Sequence, residues 1–185
     1  MCALSQRKTT MLVRLAALVF ALLASPAFAQ DQATLDRALD AAIATFEEAR
    51  PALGASALGV DVAAYRDALT LQQFGSDHWG GTVGLDLVIR DSAEGSCNRF
   101  AAFVRIPPEN GAVRLVLCPQ FFSAGADALR ELTVLHEMVH VVAGPDECQA
   151  MAFAAAVQQA ATGTFTPVDA YWRASGCENS KYRLP

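Results

Sequence analysis

The sequence lacks several features that would assign a protein to a common class. None of its five cysteines forms a Cys-x-x-Cys pair, the usual spacing of cysteine-based zinc sites. It has no apolar run of the roughly 20 residues that a membrane-spanning helix needs, and neither an internal repeat nor a low-complexity tract. Histidine is also scarce, with three in 185 residues. These absences favour a single globular domain, in which any cluster of histidines is informative.

The beginning of the chain has the pattern of a secretory signal peptide. Basic residues flank or enter a short apolar run, Met11–Ala24, and the small-x-small pattern Ala27-Phe28-Ala29 follows it. A membrane anchor is the alternative, but the run is short, contains Arg14 and ends in a cleavage pattern. We therefore predict a signal peptide over residues 1–29 and a mature protein that begins near Gln30. It would be periplasmic or secreted, with no stable membrane anchor.

The charge of the mature chain argues against a nucleic-acid partner. Residues 1–29 contain three of the 14 basic residues and none of the 19 acidic ones, so 11 basic residues remain against 19 acidic ones, a net charge of −8. Binding to nucleic acid depends largely on basic side chains that neutralise phosphates. The roughly 156 remaining residues are enough for one domain with a real core, which we assign to residues 30–185.

Four cysteines of the mature chain predict two disulfides. An even number of cysteines in an oxidising compartment is typical of disulfide pairing, and four cysteines allow three connectivities. We favour Cys97–Cys118 and Cys148–Cys177, because each pair brackets one supersecondary unit. The fifth cysteine, Cys2, does not follow the cleavage site, so lipid attachment is not expected.

Hydrophobic periodicity predicts an α+β fold. Helical spacing indicates N-terminal helices at 31–50, ending at Pro51, and at 61–74, ending at Gly75, with a linker at 54–60 between them. Alternation then predicts a small, mostly antiparallel sheet. Its strands are expected at 83–90, 100–106 and 112–117, with a hairpin turn at 107–111.

Two further helices follow the sheet. A helix is expected from Asp127, a plausible N-cap, to the stop signal Gly144-Pro145, and another at about 146–161. Residues 164–185 show no regular pattern and are expected to be irregular.

The first of these two helices carries the motif His136-Glu137-Met138-Val139-His140. Side chains at i and i+4 lie one turn apart on the same helix face, so both imidazoles can bind a single zinc ion. The carboxylate of Glu137 can then act as a general base on a water in the open metal position. The alternative is a core helix whose histidines bind nothing. Burying two imidazoles and a carboxylate in so apolar a segment would cost several kcal/mol, which disfavours it.

A catalytic zinc generally has three protein ligands, so one more is needed. Glu147 is the preferred candidate because it opens a Glu-x-x-Ala pattern whose small Ala150 lets two helices approach. The neighbouring Asp146 is the second candidate, and either acid could instead serve only as a charge at a helix N-terminus. More distant candidates are Asp169, Glu178 and His78.

The segment from His136 to Ala154 resembles the zinc metallopeptidases of small secreted bacterial proteins, a minimal form of the gluzincins. The resemblance implies zinc bound by His136, His140 and Glu147, with Glu137 as the catalytic base. It also implies a helix that carries the third ligand directly after the motif helix, and hydrolysis of a peptide or protein substrate.

A metzincin-like arrangement is the second interpretation of the motif. Metzincins place a ligand six residues after the second histidine, where Asp146 falls, but they require glycine where this chain has Ala143.

Three questions about function stay open at this stage. The oxyanion could be stabilised by His78, Tyr171 or Tyr182, and an edge of the sheet could hold an extended substrate by strand addition. The rival function is a non-catalytic secreted module that binds zinc or a partner, which the presence of Glu137 disfavours. A third possibility is an enzyme whose tail, residues 164–185, covers the cleft.

Overall fold

The computed structural model describes residues 26–125 and 127–185. The predicted signal peptide, including Cys2, lies outside the described residues except for its last four positions, which are helical. Within the described residues, no helix has both the length and the apolar character needed to cross a membrane. Residues 35–185 form one compact unit.

Five α-helices lie in the described part of the chain. They are α1 (Pro26–Leu53), α2 (Val62–Leu69), α3 (Asp127–Ala143), α4 (Glu147–Thr162) and α5 (Asp169–Ala174). Short 3-10 segments cover Gly95–Asn98, Pro119–Phe122 and Cys177–Asn179. The bounds of the predicted helix at 127–143 are therefore confirmed, although Asp127 is its first residue rather than its N-cap. The helix expected at 146–161 is shifted by one residue.

The strands form two sheets. They are β1 (Ser56–Ala57), β2 (Val60–Asp61), β3 (Phe74–Ser76), β4 (Gly81–Ile89), β5 (Ala102–Glu109) and β6 (Ala112–Leu117). β1 and β2 pair with each other, and the larger sheet has the order β3-β4-β6-β5. Helices and these small sheets together confirm the α+β class.

The larger sheet is mixed, which refines the prediction of a mostly antiparallel one. β3–β4 and β5–β6 are antiparallel, but β4 and β6 are parallel neighbours. The reason is the order of the strands. After β4 the chain forms β5 at the edge of the sheet, and the hairpin then brings β6 back between β4 and β5. β6 therefore runs in the same direction as β4. β5 is thus an edge strand.

The hairpin turn is tighter than the predicted loop at 107–111. Only Asn110 and Gly111 lie outside the strands, and both have positive φ angles, 52° and 77°, as a type I′ turn requires. β5 continues through Pro107 and Pro108, whose missing N–H groups are tolerated because β5 is at the edge of the sheet.

The predicted helix at 61–74 is too long. α2 begins after its N-cap Asp61, whose carboxylate accepts hydrogen bonds from two backbone N–H groups, but it ends at Leu69. Leu71 has a positive φ of 60°, and Phe74 pairs with Val83 as part of β3. Burial of Phe74 in the core as a strand residue therefore overrides its helical spacing. The predicted end of α1 at Pro51 is also slightly early, because Leu53 is the last helical residue.

One apolar core joins the helices to the sheet, and Tyr65 lies at its centre. Its ring packs against Phe46 and Phe153, with centroid distances of 5.0 and 4.8 Å. Its hydroxyl donates a hydrogen bond of 2.7 Å to the carbonyl of Leu135, the residue before the motif. Complete burial raises the pKa of Tyr65 well above its usual value, so it stays a neutral donor. Tyr65 thereby fixes α3 at the position where the motif begins.

Both predicted disulfides are present, Cys97–Cys118 and Cys148–Cys177. The second attaches the tail to the first turn of α4, where Met151, Trp172, Cys177 and Tyr182 belong to a separate small apolar cluster. The prediction of an irregular tail at 164–185 is therefore wrong in part, since α5 and a 3-10 turn form within it. Burial of Trp172 and the covalent link supply the order that sequence periodicity did not reveal.

Candidate metal centre

Helix α3 is fixed at its N-terminal half by buried polar contacts. The guanidinium of Arg130 donates a hydrogen bond of 2.7 Å to the carbonyl of Phe121, before the helix. The carboxylate of Glu131 accepts hydrogen bonds from Thr45 of α1 and Gln158 of α4, both at 3.1 Å. These contacts hold the motif helix against its neighbours on both sides.

Three potential ligand atoms converge at the end of α3. The Nε2 atoms of His136 and His140 are 3.1 Å apart, and Oε2 of Glu147 lies 3.2 Å from the first and 3.7 Å from the second. Zinc–ligand bonds of about 2.0–2.1 Å in tetrahedral geometry place neighbouring ligand atoms roughly 3.3 Å apart. The group His136, His140 and Glu147 could therefore hold a metal ion.

A backbone contact orients the second imidazole. Nδ1 of His140 lies 2.8 Å from the carbonyl oxygen of Gly144, which can only accept a hydrogen bond. Nδ1 therefore carries a proton, and Nε2 is the nitrogen that faces Glu147 and would bind a metal. A carbonyl partner of this kind is the usual second contact of a metal-binding histidine. Sequence reasoning treated Gly144 only as a helix stop and missed this role.

A tight corner between α3 and α4 brings Glu147 to the histidines. Gly144 has a φ of +95°, and Asp146 caps α4 by accepting hydrogen bonds of 3.0 Å from the backbone N–H groups of Cys148 and Gln149. Glu147, the first residue of α4, is left with its side chain at the two imidazoles. The small residue expected at Ala150 is completely buried.

The other proposed ligands lie elsewhere. Asp146 is used as a helix cap, and the ligand group found among the described residues includes neither Asp169 nor Glu178. His78 packs against Gly144 and does not line the cleft that contains His140 and Glu147. Of the acids and the third histidine considered from sequence, only Glu147 joins the two motif histidines.

The motif carboxylate lines a cleft beside these atoms. Glu137 is buried, and the cleft, of about 160 Å³, also exposes His140, Glu147 and Tyr171. Its opposite wall is formed by β5. Burial raises the pKa of Glu137, more than the two motif histidines lower it. A carboxyl group with a raised pKa beside a metal site is suited to accept and release a proton.

The ligand acid is held in its charged form. Partial burial raises the pKa of Glu147, but hydrogen bonds to His136 and His140 outweigh it and hold that pKa well below its usual value. Burial lowers the pKa of His140, but its contacts with Glu147, Glu137 and Gly144 raise it by more. Glu147 therefore brings a charged carboxylate to the two imidazoles, and such an oxygen is a common ligand of divalent cations.

Only one of the three candidates for oxyanion stabilisation lies in the cleft. The hydroxyl of Tyr171 donates a hydrogen bond of 3.2 Å to Oε2 of Glu147, and its ring centroid is 6.2 Å from that of His136. Burial, followed by the charge of Glu147, raises the pKa of Tyr171 to about 12, so it remains a donor at neutral pH. Tyr182 is buried in the tail cluster, and His78 contacts Gly144 instead.

A small apolar cavity of about 120 Å³ adjoins the cleft at Tyr171. Its walls are Leu132, Thr133, His136, Met151, Val168 and Tyr171. Tyr171 thus lies between the cleft and this apolar recess, with His140 lining the first and His136 the second.

Comparison with protein-family models found no matching family, and comparisons with curated proteins and with solved structures found no match.

Proposed function

We propose that this protein is a zinc-dependent metallopeptidase that acts in the periplasm or after secretion. The observation that carries the proposal is the tetrahedral spacing of three ligand atoms beside a buried carboxyl group. Two imidazole nitrogens and one carboxylate oxygen are a donor set typical of catalytic zinc, which keeps a fourth position open. The two disulfides support an oxidising compartment.

Each side chain of the centre has a role in this proposal. His136, His140 and Glu147 would hold zinc, which supplies Lewis-acid chemistry by polarising a carbonyl and lowering the pKa of water. Glu137 takes a proton from the attacking water and passes it to the leaving amine. The phenol of Tyr171 donates a hydrogen bond to the oxygen that becomes negatively charged.

The edge strand offers a place for the substrate. Among residues 26–125 and 127–185, no strand pairs with the outer side of β5, and Ala102, Val104 and Ile106 line the cleft beside Glu137. An extended peptide can add to such an edge through backbone hydrogen bonds, which require an unfolded segment rather than a particular sequence. We therefore expect unstructured proteins or peptides as substrates.

Purification of residues 30–185 from an oxidising compartment tests the proposal. We expect about one zinc per chain and hydrolysis of an unstructured protein. Removal of the metal with a chelator should stop hydrolysis, and added zinc should restore it. A chain that retains zinc but cleaves none of a diverse set of substrates would contradict the enzymatic proposal and favour a binding module. A chain that binds no zinc would contradict both.

Tyr171→Phe tests the oxyanion role. The variant removes one hydroxyl and keeps the ring, so zinc affinity should fall by only about 10-fold, through loss of the hydrogen bond to Glu147. Loss of one donor to the oxyanion should lower kcat by roughly 100-fold. Steady-state kinetics on a single peptide measures this change, and Tyr182→Phe is the matched control because Tyr182 does not line the cleft. Equal rates in Tyr171→Phe and the wild type would exclude Tyr171 from the reaction.

A further inference from the structure

The loop between β3 and β4 contacts the end of the motif helix, and none of its residues lines the cleft. The indole Nε1–H of Trp79 donates a hydrogen bond of 2.7 Å to the carbonyl of Val141. The hydroxyl of Ser76 lies 3.5 Å from the carbonyl of Val142 and accepts a hydrogen bond of 3.0 Å from the backbone N–H of Trp79. The last carbonyl groups of a helix have no hydrogen-bond partner within the helix. This loop supplies donors to two of them.

The same loop also limits the position of Gly144. A Cβ atom on Gly144 would overlap the imidazole of His78, reaching 2.6 Å from its Cε1. The rings of His78 and Trp79 pack edge to face, with centroids 4.3 Å apart. His78 therefore packs against Gly144, while Trp79 donates its hydrogen bond to the carbonyl of Val141, three residues earlier in the chain.

Gly144 connects this loop to His140, one of the three potential metal ligands. The carbonyl of Gly144 accepts the hydrogen bond from Nδ1 of His140, and this bond leaves Nε2 free to face Glu147. The corner at Gly144 has a left-handed conformation, φ +95°, and its N–H donates a hydrogen bond of 3.2 Å to the carbonyl of His140. The loop limits how far this corner can move, because the ring of His78 packs against Gly144.

We infer that Trp79 and His78 are positioning residues for the metal centre, which act through the Gly144 carbonyl to set the tautomer and orientation of His140. Neither residue touches the metal or the substrate in this account. The inference rests on the proposed function in that His140 is taken as a zinc ligand. It adds a role for the chain's third histidine and for a loop that the proposed reaction does not use.

Trp79→Phe tests the inference, because it keeps an aromatic ring and removes the indole donor, with a loss of ring volume that the Trp172→Phe control shares. We expect the zinc Kd to rise by about 10-fold, the lower end of the effect of removing an outer contact of a ligand. Nitrogen-15 NMR of the metal-free protein, at a pH high enough to leave the imidazole of His140 neutral, gives a second measurement. It should show His140 with its proton on Nδ1 in the wild type and a mixture of tautomers in the variant.

Two further variants complete the experiment, one as a matched control and one as a second test of the loop. Trp172→Phe makes the same chemical change in the tail cluster and should alter neither the zinc Kd nor the tautomer of His140. His78→Ala removes a solvent-exposed side chain, so folding should survive, and it should shift both readings in the same direction as Trp79→Phe.

The possible results separate this inference from the proposed function. An unchanged zinc Kd and an unchanged His140 tautomer in both loop variants would overturn the positioning role, even with an active wild type. Equal changes in Trp172→Phe would overturn it too, because the effect would then not be specific to the loop. A wild type without zinc would instead contradict the proposed function, and the tautomer measurement would still decide whether the loop orients His140.

Discussion

Glu137→Gln should abolish measurable hydrolysis while leaving about one zinc bound per chain. Glutamine has nearly the same shape as glutamate but cannot accept the proton of the attacking water, so the general base is lost. Such a loss is expected to lower kcat by at least about 100-fold. Because Glu137 is buried beside the ligands rather than among them, the metal site should remain intact. Zinc content and rates on an unstructured protein measure both effects.

The raised pKa of Glu137 makes this variant informative about stability as well. Burial disfavours the charged carboxylate, so a neutral amide in its place should not destabilise the fold through charge loss. Urea unfolding of the zinc-free variant provides the control. A variant that folds, binds zinc and hydrolyses at the rate of the wild type would remove Glu137 from the mechanism.

Glu147→Gln should weaken zinc binding by at least about 100-fold, more than the loss of an outer contact of a ligand. The substitution removes the negative charge and one strong donor oxygen from the group at His136 and His140. Competition with a chromophoric chelator measures the zinc Kd. Activity should fall in parallel and recover in part at high zinc concentration.

Asp146→Asn is the matched control for this variant. The two residues are adjacent and both substitutions remove one carboxylate, but asparagine is as good an N-cap as aspartate. The structure uses Asp146 as the cap of α4, so its variant should keep the zinc Kd and the stability of the wild type. Stronger loss of zinc in Asp146→Asn than in Glu147→Gln would reverse the assignment and support the metzincin-like arrangement.

The motif helix and its chemistry are the part that sequence predicts best. Residues 127–143 combine helical periodicity with a clear stop at Gly144-Pro145, and the structure confirms these bounds. The spacing of His136 and His140 places them on one face in any helix. Both disulfides are also predicted correctly, because each pair closes a short local unit.

Other elements depend on contacts that a sequence pattern does not contain. The helical spacing over 61–74 ignores the pairing of Phe74 with Val83, which turns the end of that segment into a strand. The parallel pairing of β4 and β6 follows from the order of strands in space. No local signal in residues 164–185 shows that Trp172 is buried or that Tyr171 reaches the cleft. Only the predicted Cys148–Cys177 link indicated that the tail returns to α4.

The choice between Asp146 and Glu147 shows the same limit. Sequence placed both at the start of a helix, where either can act as a cap or as a ligand. Backbone geometry separates them, since the residue just before α4 points its carboxylate at the N–H groups of Cys148 and Gln149. The next residue then has its carboxylate at the histidines.

A crystal structure of residues 30–185 soaked with zinc, with anomalous data at the zinc absorption edge, tests the central claim most directly. It should show one strong peak bonded to Nε2 of His136, Nε2 of His140 and the carboxylate of Glu147, with water in the remaining position. Imidazoles that face away from the peak, or a further side chain that permanently fills the fourth position, would contradict the account.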